Sequence, residues 1–259
     1  MTLGVTGLSL SIGGTPLVDD LSFRVNDGER LGLIGESGSG KSLTLLALIG
    51  LAPEQAVVTG SVLLDGRELV GSPERTLAAV RGADIGMVFQ DPGSALNPLH
   101  RIGRQISEPL RIHEGLSKKD ARARAIESAR EVGLPDPETI VDLYPHQISG
   151  GQRQRVGIAI ALACRPKLLL ADEPTTALDV TTQADVLALF QRLVDDLGTS
   201  LVFVTHDLAV LAQITEEVVV LSNGQAVERG SVSRILHAPS HPVTRGLVEA
   251  ARATTWSAS

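Results

Sequence analysis

Gly35-Glu36-Ser37-Gly38-Ser39-Gly40-Lys41-Ser42 is the stretch on which the fold turns. A compact apolar run, Arg30 to Ile34, leads into it, and Lys41 to Ile49 follows with apolar residues at helical spacing. Strand, glycine loop and helix in that order make a phosphate-binding loop. Phosphate oxygens need several N–H donors converging from one side. Closely spaced glycines let the backbone curl tightly enough to supply them, and the first turn of the helix adds its free N–H groups. Lys41 brings a mobile positive charge to the outer phosphates of a nucleoside triphosphate, ATP in this reading. The Ser42 hydroxyl is suited to its Mg2+.

Far downstream, Leu168-Leu169-Leu170-Ala171 reads as a buried strand that delivers Asp172 and Glu173 at its end. Behind a phosphate loop, two carboxylates at a strand end suit metal-assisted hydrolysis. Asp172 is the candidate to hold Mg2+ through water, and Glu173 the candidate base that polarises the attacking water. Gln90 closes the apolar run Ile85 to Phe89, and its carbonyl oxygen can reach a metal or a water. His206 closes the run Leu201 to Thr205, where a ring N–H facing a γ phosphate can hold it. Taken alone, both are ordinary loop residues. The phosphate loop upstream is what gives them a reading.

A chain of 259 residues can bury one substantial core with a smaller subdomain attached. Hydrophobic and charged fractions of 43% and 20% are those of a soluble globular protein. A net charge of -7 argues against a nucleic-acid partner, whose phosphates call for a basic surface. The single cysteine, Cys164, excludes an internal disulfide and a cysteine-rich metal site. It follows Ala161-Leu162-Ala163 and is expected to be a small buried residue. No export signal opens the chain and no run reaches eighteen apolar residues, so a membrane role is expected to come through a partner.

Residues 3–27 alternate loosely and are punctuated by Gly13-Gly14 and Asn26-Asp27-Gly28, the pattern of half-exposed strands. Val62-Leu63-Leu64 followed by Asp65-Gly66 signals a hairpin. From 93 to about 165 helical patterns dominate, and Ser117 is placed to cap a helix from Lys118 to Val132. Strands at Ser200–Thr205 and Val218–Leu221 and a helix from about Thr181 to Leu197 complete an α/β core. Pro239 and His241-Pro242 introduce a helical tail with a loose end.

One further motif separates this chain from other phosphate-loop ATPases. Ser149-Gly150-Gly151-Gln152, followed by Arg153-Gln154-Arg155-Val156, resembles the signature of the ATP-binding cassette (ABC) family, with Ile148 where leucine is usual. Pro174-Thr175-Thr176-Ala177-Leu178-Asp179 resembles the segment carrying its D-loop, and Gln90 and His206 its Q-loop and switch histidine. The resemblance covers about residues 3–235. It implies an α/β P-loop ATPase with an antiparallel β subdomain and an inserted helical subdomain at about 93–165, followed by a short tail at 236–259. It implies ATP and Mg2+ as cofactors and a head-to-tail ATPase dimer with nucleotides at its interface. Lys41, Ser42, Gln90, Asp172, Glu173 and His206 then act on one ATP. Ser149, Gly150, Gly151 and Gln152 of the facing domain complete its γ-phosphate shell, and Asp179 couples the two sites. The family often has an aromatic residue stacked on adenine where this chain has Ile12, which implies an aliphatic contact with the base.

The segment after Gln90 resembles one branch in particular. Asp91-Pro92, Ala95-Leu96-Asn97-Pro98, Ile102-Gly103, Gln105-Ile106 and Glu108-Pro109 look like the peptide/nickel importer ATPases, as does Tyr144-Pro145-His146-Gln147. His241-Pro242-Val243-Thr244-Arg245 resembles that branch's terminal motif, with Val243 in place of tyrosine. The branch implies uptake of oligopeptides or dipeptides, with nickel or a metal chelate as the alternative. Many peptide-importing members carry a cysteine-bearing tail, which does not follow here. The implied partners are two transmembrane permease subunits, a second homologous ATPase or a second copy of this chain, and, indirectly, an extracytoplasmic solute-binding protein. The implied location is the cytoplasmic face of the cell membrane. A soluble cassette ATPase outside transport is the reading of another class, and so is a cassette that binds ATP without turnover. Glu173 and Ser149 count against the second.

Overall fold

The computed structural model describes residues 2–176 and 179–256. They form two compact units, one made of residues 1–77 with 200–259 and the other of residues 78–199.

The first unit begins with β1 (Leu3–Ile12), β2 (Thr15–Val25), β3 (Arg30–Gly35), α1 (Lys41–Leu48), β4 (Ala56–Leu64) and β5 (Arg67–Glu68). β2, β1, β4 and β5 form an antiparallel sheet in that order. One of its faces is apolar: Leu3, Val5, Leu8 and Leu10 of β1 are buried with Leu21, Phe23 and Val25 of β2. This is the period-two pattern of a sheet with one face in the core. Asp65 (φ 46°) and Gly66 (φ 81°) turn β4 into β5 in the left-handed conformation that a two-residue hairpin needs.

After α2 (Glu74–Val80), the second unit holds β6 (Ile85–Val88), α3 (Pro92–Ala95), α4 (Ile102–His113), α5 (Lys118–Glu131), α6 (Pro137–Ile140), α7 (Gly150–Leu162), β7 (Leu168–Asp172) and α8 (Val180–Leu197). β6 and β7 pair in parallel, with Val88 opposite Ala171. The helices between them pack through small residues. Ala121, Ala125 and Ala129 of α5 are buried, and Leu110 of α4, Ala121 and Ala163 form one cluster. Ser117 caps α5, its hydroxyl accepting from the Asp120 N–H at 3.2 Å. Cys164 is half-buried rather than buried, because it lies past the end of α7 and covers only the rim of that cluster. Burial pushes its thiol up to about 11, with Glu114 acting in the same direction.

The chain then returns to the first unit with β8 (Ser200–Thr205), α9 (Leu208–Ile214), β9 (Glu217–Ser222), β10 (Gln225–Ser231), α10 (Val232–His237) and α11 (Pro242–Trp256). β3 lies between β8 and β9 and is parallel to both, and β10 pairs antiparallel to β9. All six residues of β8 are buried, as are Leu31, Leu33 and Ile34 of β3. Parallel strands covered on both faces read as unbroken apolar runs for this reason. Ile34, Leu211, Val218, Val220, Ile235 and Val248 share one cluster, which fixes α9, α10 and α11 to these strands. Each such side chain contributes about 1.5–3 kcal/mol on burial.

A buried carboxylate ties the last helix down. Glu228 of β10 is 8% exposed and accepts from the Ser240 N–H (2.8 Å), the Ser240 hydroxyl (2.6 Å) and the His241 N–H (2.9 Å). Burial alone would push its carboxyl up. The hydroxyls of Ser240 and Thr244 and the two backbone donors outweigh that and bring it down to about 2. No helix among the described residues is long and apolar enough to cross a membrane.

Candidate functional site

Two groups of candidate residues are built independently, one in each unit. In the first unit, the loop from β3 to α1 carries Gly35 to Gly40, with Lys41 and Ser42 opening the helix. Gly38 (φ 80°) and Gly40 (φ 98°) take left-handed conformations that other residues rarely adopt. A Cβ at Gly40 would also stand 2.7 Å from the Leu17 carbonyl oxygen. At Gly35 the constraint is space, since a Cβ would fall 2.2 Å from the Leu221 carbonyl oxygen of β9. The glycines therefore let the loop press onto β9 at Gly35 and onto β2 at Gly40.

Lys41 is 5% exposed, and its ammonium donates to the carbonyls of Gly35 (2.8 Å) and Glu36 (2.9 Å). It is thus held against the loop it serves. Gly40 gives α1 no side-chain cap, which leaves first-turn N–H groups for an outside acceptor. Ser39 is 4% exposed, and its Oγ has no hydrogen-bond partner among the described residues. An uncapped helix start, an orphaned buried hydroxyl and a tethered ammonium all fit a phosphate chain. Glu36 and Ser37 lie in the loop and are exposed, and Ser42, in the first turn of α1, is half-exposed.

His206 is the first residue after β8 and is exposed. Ile34 stands opposite Thr205 in the parallel β3–β8 pair, so His206 leaves β8 at the end where Gly35 leaves β3. Ile12 closes β1, opposite Thr15 and Ala56, and is half-exposed.

In the second unit, parallel pairing of β6 and β7 brings Gln90, Asp172 and Glu173 to one end of both strands. Asp172 is 7% exposed. Glu173 has φ 43°, a left-handed conformation that costs a non-glycine residue about 1–2 kcal/mol. The Thr176 hydroxyl donates to Glu173 Oε2 at 2.9 Å, and Gln90 Nε2 reaches the same oxygen at 3.5 Å, the outer limit of such a bond. Thr176 is a contact that sequence reasoning did not single out as a site residue. Its only signal was its place three residues after Glu173.

Ser149 caps α7 through a reciprocal box: its Oγ accepts from the Gln152 N–H at 3.2 Å, and Gln152 Oε1 accepts from the Ser149 N–H at 2.8 Å. Gln152 therefore sets the conformation of Ser149. Gly150 has open space where a Cβ would stand, whereas a Cβ on Gly151 would meet Thr182 Cγ2 at 2.8 Å. Thr182 also donates from its N–H (3.0 Å) and hydroxyl (2.7 Å) to the Asp179 carboxylate, the cap of α8. Gly151 and Asp179 thus meet on one threonine. Ala177 and Leu178, within the segment that resembles the D-loop, lie outside the described residues.

A family model described as "ABC transporter" matches residues 18–176. The chain is 45% identical over 238 residues to the oligopeptide transport ATP-binding protein of Haemophilus influenzae, covering 92% of this chain and 74% of that protein. It is 47% identical over 234 residues to the dipeptide transport ATP-binding protein of Escherichia coli, covering 90% of this chain and 72% of that protein. Among solved structures, it is similar to a dimeric ATP-binding cassette in a post-hydrolysis state bound to ADP and Pi. The TM-score is 0.79 at 30% identity, over 89% of this chain and 98% of that one.

Proposed function

Because the chain belongs to the ABC transporter family, we propose that it is the ATP-hydrolysing subunit of an importer of oligopeptides or dipeptides. The observation that carries the ATPase half is the phosphate loop, where Lys41 is held by two loop carbonyls beside an uncapped helix start. The printed functions of the relatives, oligopeptide and dipeptide transport, support the peptide half. No observation favours the nickel or metal-chelate alternative. In this reading residues 3–235 are the ATP-binding domain, with its helical part at about 93–165, and residues 236–259 form the tail.

In the proposed mechanism, backbone N–H groups of Gly35 to Gly40, with Glu36, Ser37 and Ser39 in the same loop, cradle the β and γ phosphates and Lys41 neutralises them. Ile12 lies against the base. Ser42, Gln90 and Asp172 are the residues suited to hold Mg2+, which when bound offsets phosphate charge. Glu173 orients the attacking water and takes its proton as the γ-phosphoryl group leaves ADP. Its bond from Thr176 and the approach of Gln90 support a carboxylate aimed by its neighbours. His206 donates to the γ phosphate.

Ser149, Gly150, Gly151 and Gln152 serve the nucleotide of a facing ATPase, and Asp179 couples the two. The capped start of α7 supports this role, because it presents oriented N–H groups and a fixed hydroxyl. The facing ATPase is a homologue or a second copy, and the dimeric form of the solved cassette agrees with such an arrangement.

The protein works peripherally on the cytoplasmic face of the membrane beneath two permease subunits, supplied by an extracytoplasmic binding protein. Asp91 to Leu110, with Tyr144, is the proposed docking segment. A small groove of about 70 Å³ supports it, lined by Phe89, Ala95, Leu96, Gly157 and Ile160. Gln154 sits in the same groove, 1% exposed, and its Nε2 has no partner among the described residues. Leu99 nearby is 81% exposed.

The test is uptake. A deletion strain is assayed with di- and oligopeptides and with nickel, and the purified complex is assayed for ATP hydrolysis with and without loaded binding protein. Loss of peptide uptake and stimulated hydrolysis are the expected results. Selective loss of nickel uptake overturns the substrate, and an ATPase that purifies without a membrane subunit overturns the importer.

A further inference from the structure

We infer that the helical part of the second unit carries a binding site for phosphate oxyanions borne on a larger molecule, in the cleft between α4, α5 and the turn at Val141–Asp142. No residue assigned above to the nucleotide or to the signature lines this cleft, although Arg101, Gly103, Arg104 and Ser107 fall within the docking segment, and its volume is about 620 Å³. That is within the range of small-molecule sites and larger than a single phosphate needs.

Its lining is cationic in a chain that is not. Arg101, Arg104 and Arg111 come from α4 and its cap, and Lys118 and Arg122 from the first turns of α5. One carboxylate, Asp142, faces these five, while the whole chain carries -7. The spacing explains the convergence. Positions 104 and 111 lie two turns apart on α4, and 118 and 122 one turn apart on α5, so each helix presents its cations as a row. Glu108 stands on α4 as well, exposed, but does not line the cleft.

Asp142 is already committed. Arg122 grips it with two parallel bonds of 2.8 Å, and Arg101 adds a contact at 3.5 Å. The Arg122 bonds, and then both guanidinium charges, hold its carboxyl below the usual range. Arg104, Arg111 and Lys118 have no ion-pair partner among the described residues.

The cleft floor is closely packed. Gly103 donates to the Val141 carbonyl at 2.8 Å, and a Cβ there would stand 2.8 Å from Val141 Cβ. Ser107, 7% exposed, donates to the Arg104 carbonyl. A solvated helix face needs none of this. A preorganised fork of guanidinium groups matches phosphate oxygens in pairs. An anionic phospholipid headgroup and a soluble polyphosphate share that chemistry.

The experiment uses the full chain with a saturating non-hydrolysable ATP analogue and Mg2+, so that the phosphate loop is filled. Inorganic pyrophosphate is titrated calorimetrically. Separately, binding to vesicles of phosphatidylglycerol is compared with phosphatidylcholine vesicles. Binding to phosphatidylglycerol alone identifies a headgroup as the source, and binding of pyrophosphate a soluble ligand; either supports the site. The triple variant Arg104→Ser, Arg111→Ser, Lys118→Ser should weaken the observed binding about a hundredfold, roughly fivefold for each cation removed. The double variant Arg111→Ser, Lys118→Ser, outside the docking segment, should weaken binding about twenty-five-fold and keep the wild-type basal ATPase activity. Hydrogen exchange of the wild type, which needs no variant to fold, should show protection by the bound probe at residues 101–122 and 141–142. Failure of both probes to bind, binding unaltered in the triple variant, or protection confined to other segments would overturn the inference.

Discussion

Replacing Glu228 by glutamine should loosen the last helix from the sheet, and the loss should depend on pH in a defined direction. The carboxylate accepts three hydrogen bonds from Ser240 and His241 and is brought from 4.5 to about 2. The depression from 4.5 to about 2 corresponds to a ceiling of roughly 3.4 kcal/mol, and solvent screening brings this to about 2 kcal/mol. The amide offers one accepting oxygen where the carboxylate offers two, so a buried N–H of Ser240 or His241 loses its partner, a cost of about 1–3 kcal/mol. The two routes agree. The midpoint of thermal unfolding should fall by about 4–8 °C at neutral pH. A carboxylate whose folded pKa is depressed stabilises fully above its unfolded pKa and loses that contribution as pH falls through the folded value. The gap between wild type and Glu228→Gln should therefore be full at pH 7, begin to close below about 4.5, and shrink to under half by pH 3. Denaturant unfolding across that range measures it, with hydrogen exchange at residues 241–252 as the local readout. A gap that keeps its size at every pH, or one below about 0.5 kcal/mol, would refute the reasoning.

Glu173→Gln should retain ATP binding and lower turnover by about a hundredfold or more, since the phosphate loop is untouched while the base is gone; phosphate release beside ATP-dependent dimerisation checks this. Lys41→Ala should instead lose nucleotide affinity itself, read by direct titration. Ser149→Arg should cut hydrolysis about a hundredfold at the partner's nucleotide, and mixed dimers with one altered subunit decide whether the defect stays in trans. Gly40→Ala should abolish ATP binding, because its φ of 98° and the Leu17 carbonyl at 2.7 Å leave no room for a methyl group; a folded variant that binds ATP normally would contradict that geometry.

Much of this architecture was legible from residue spacing, for reasons the structure makes explicit. The runs at β3, β7 and β8 are unbroken because both faces of those strands are covered. Ser117 is readable as a cap because a hydroxyl just before a helical run can accept from a first-turn N–H that has no partner inside the helix. β6 proved shorter than its apolar run, since Phe89 is 40% exposed and stands beyond the pairing. β10 escaped notice because Gln225, Glu228 and Arg229 break any apolar pattern; only the donors at Ser240 and His241, distant in sequence, make a buried glutamate tolerable there. α9 and α10, of seven and six residues, are too short to show a period. At the candidate site, residue types and spacings were legible. The bond from Thr176 to Glu173 and the joint hold of Thr182 on Gly151 and Asp179 were not, because they depend on backbone angles that no motif encodes.

The left-handed backbone at Glu173 carries a consequence for how this protein would respond to selection. Glycine and asparagine are the residues that tolerate φ near 43°. A library screened for heat resistance alone should therefore drift toward them at position 173, and every such winner would lack the carboxylate. Glutamine shares the strain of glutamate, so it should neither gain nor lose in that screen. The position is a trap for stability engineering: the most robust variants and the working enzyme lie in opposite directions from the same residue.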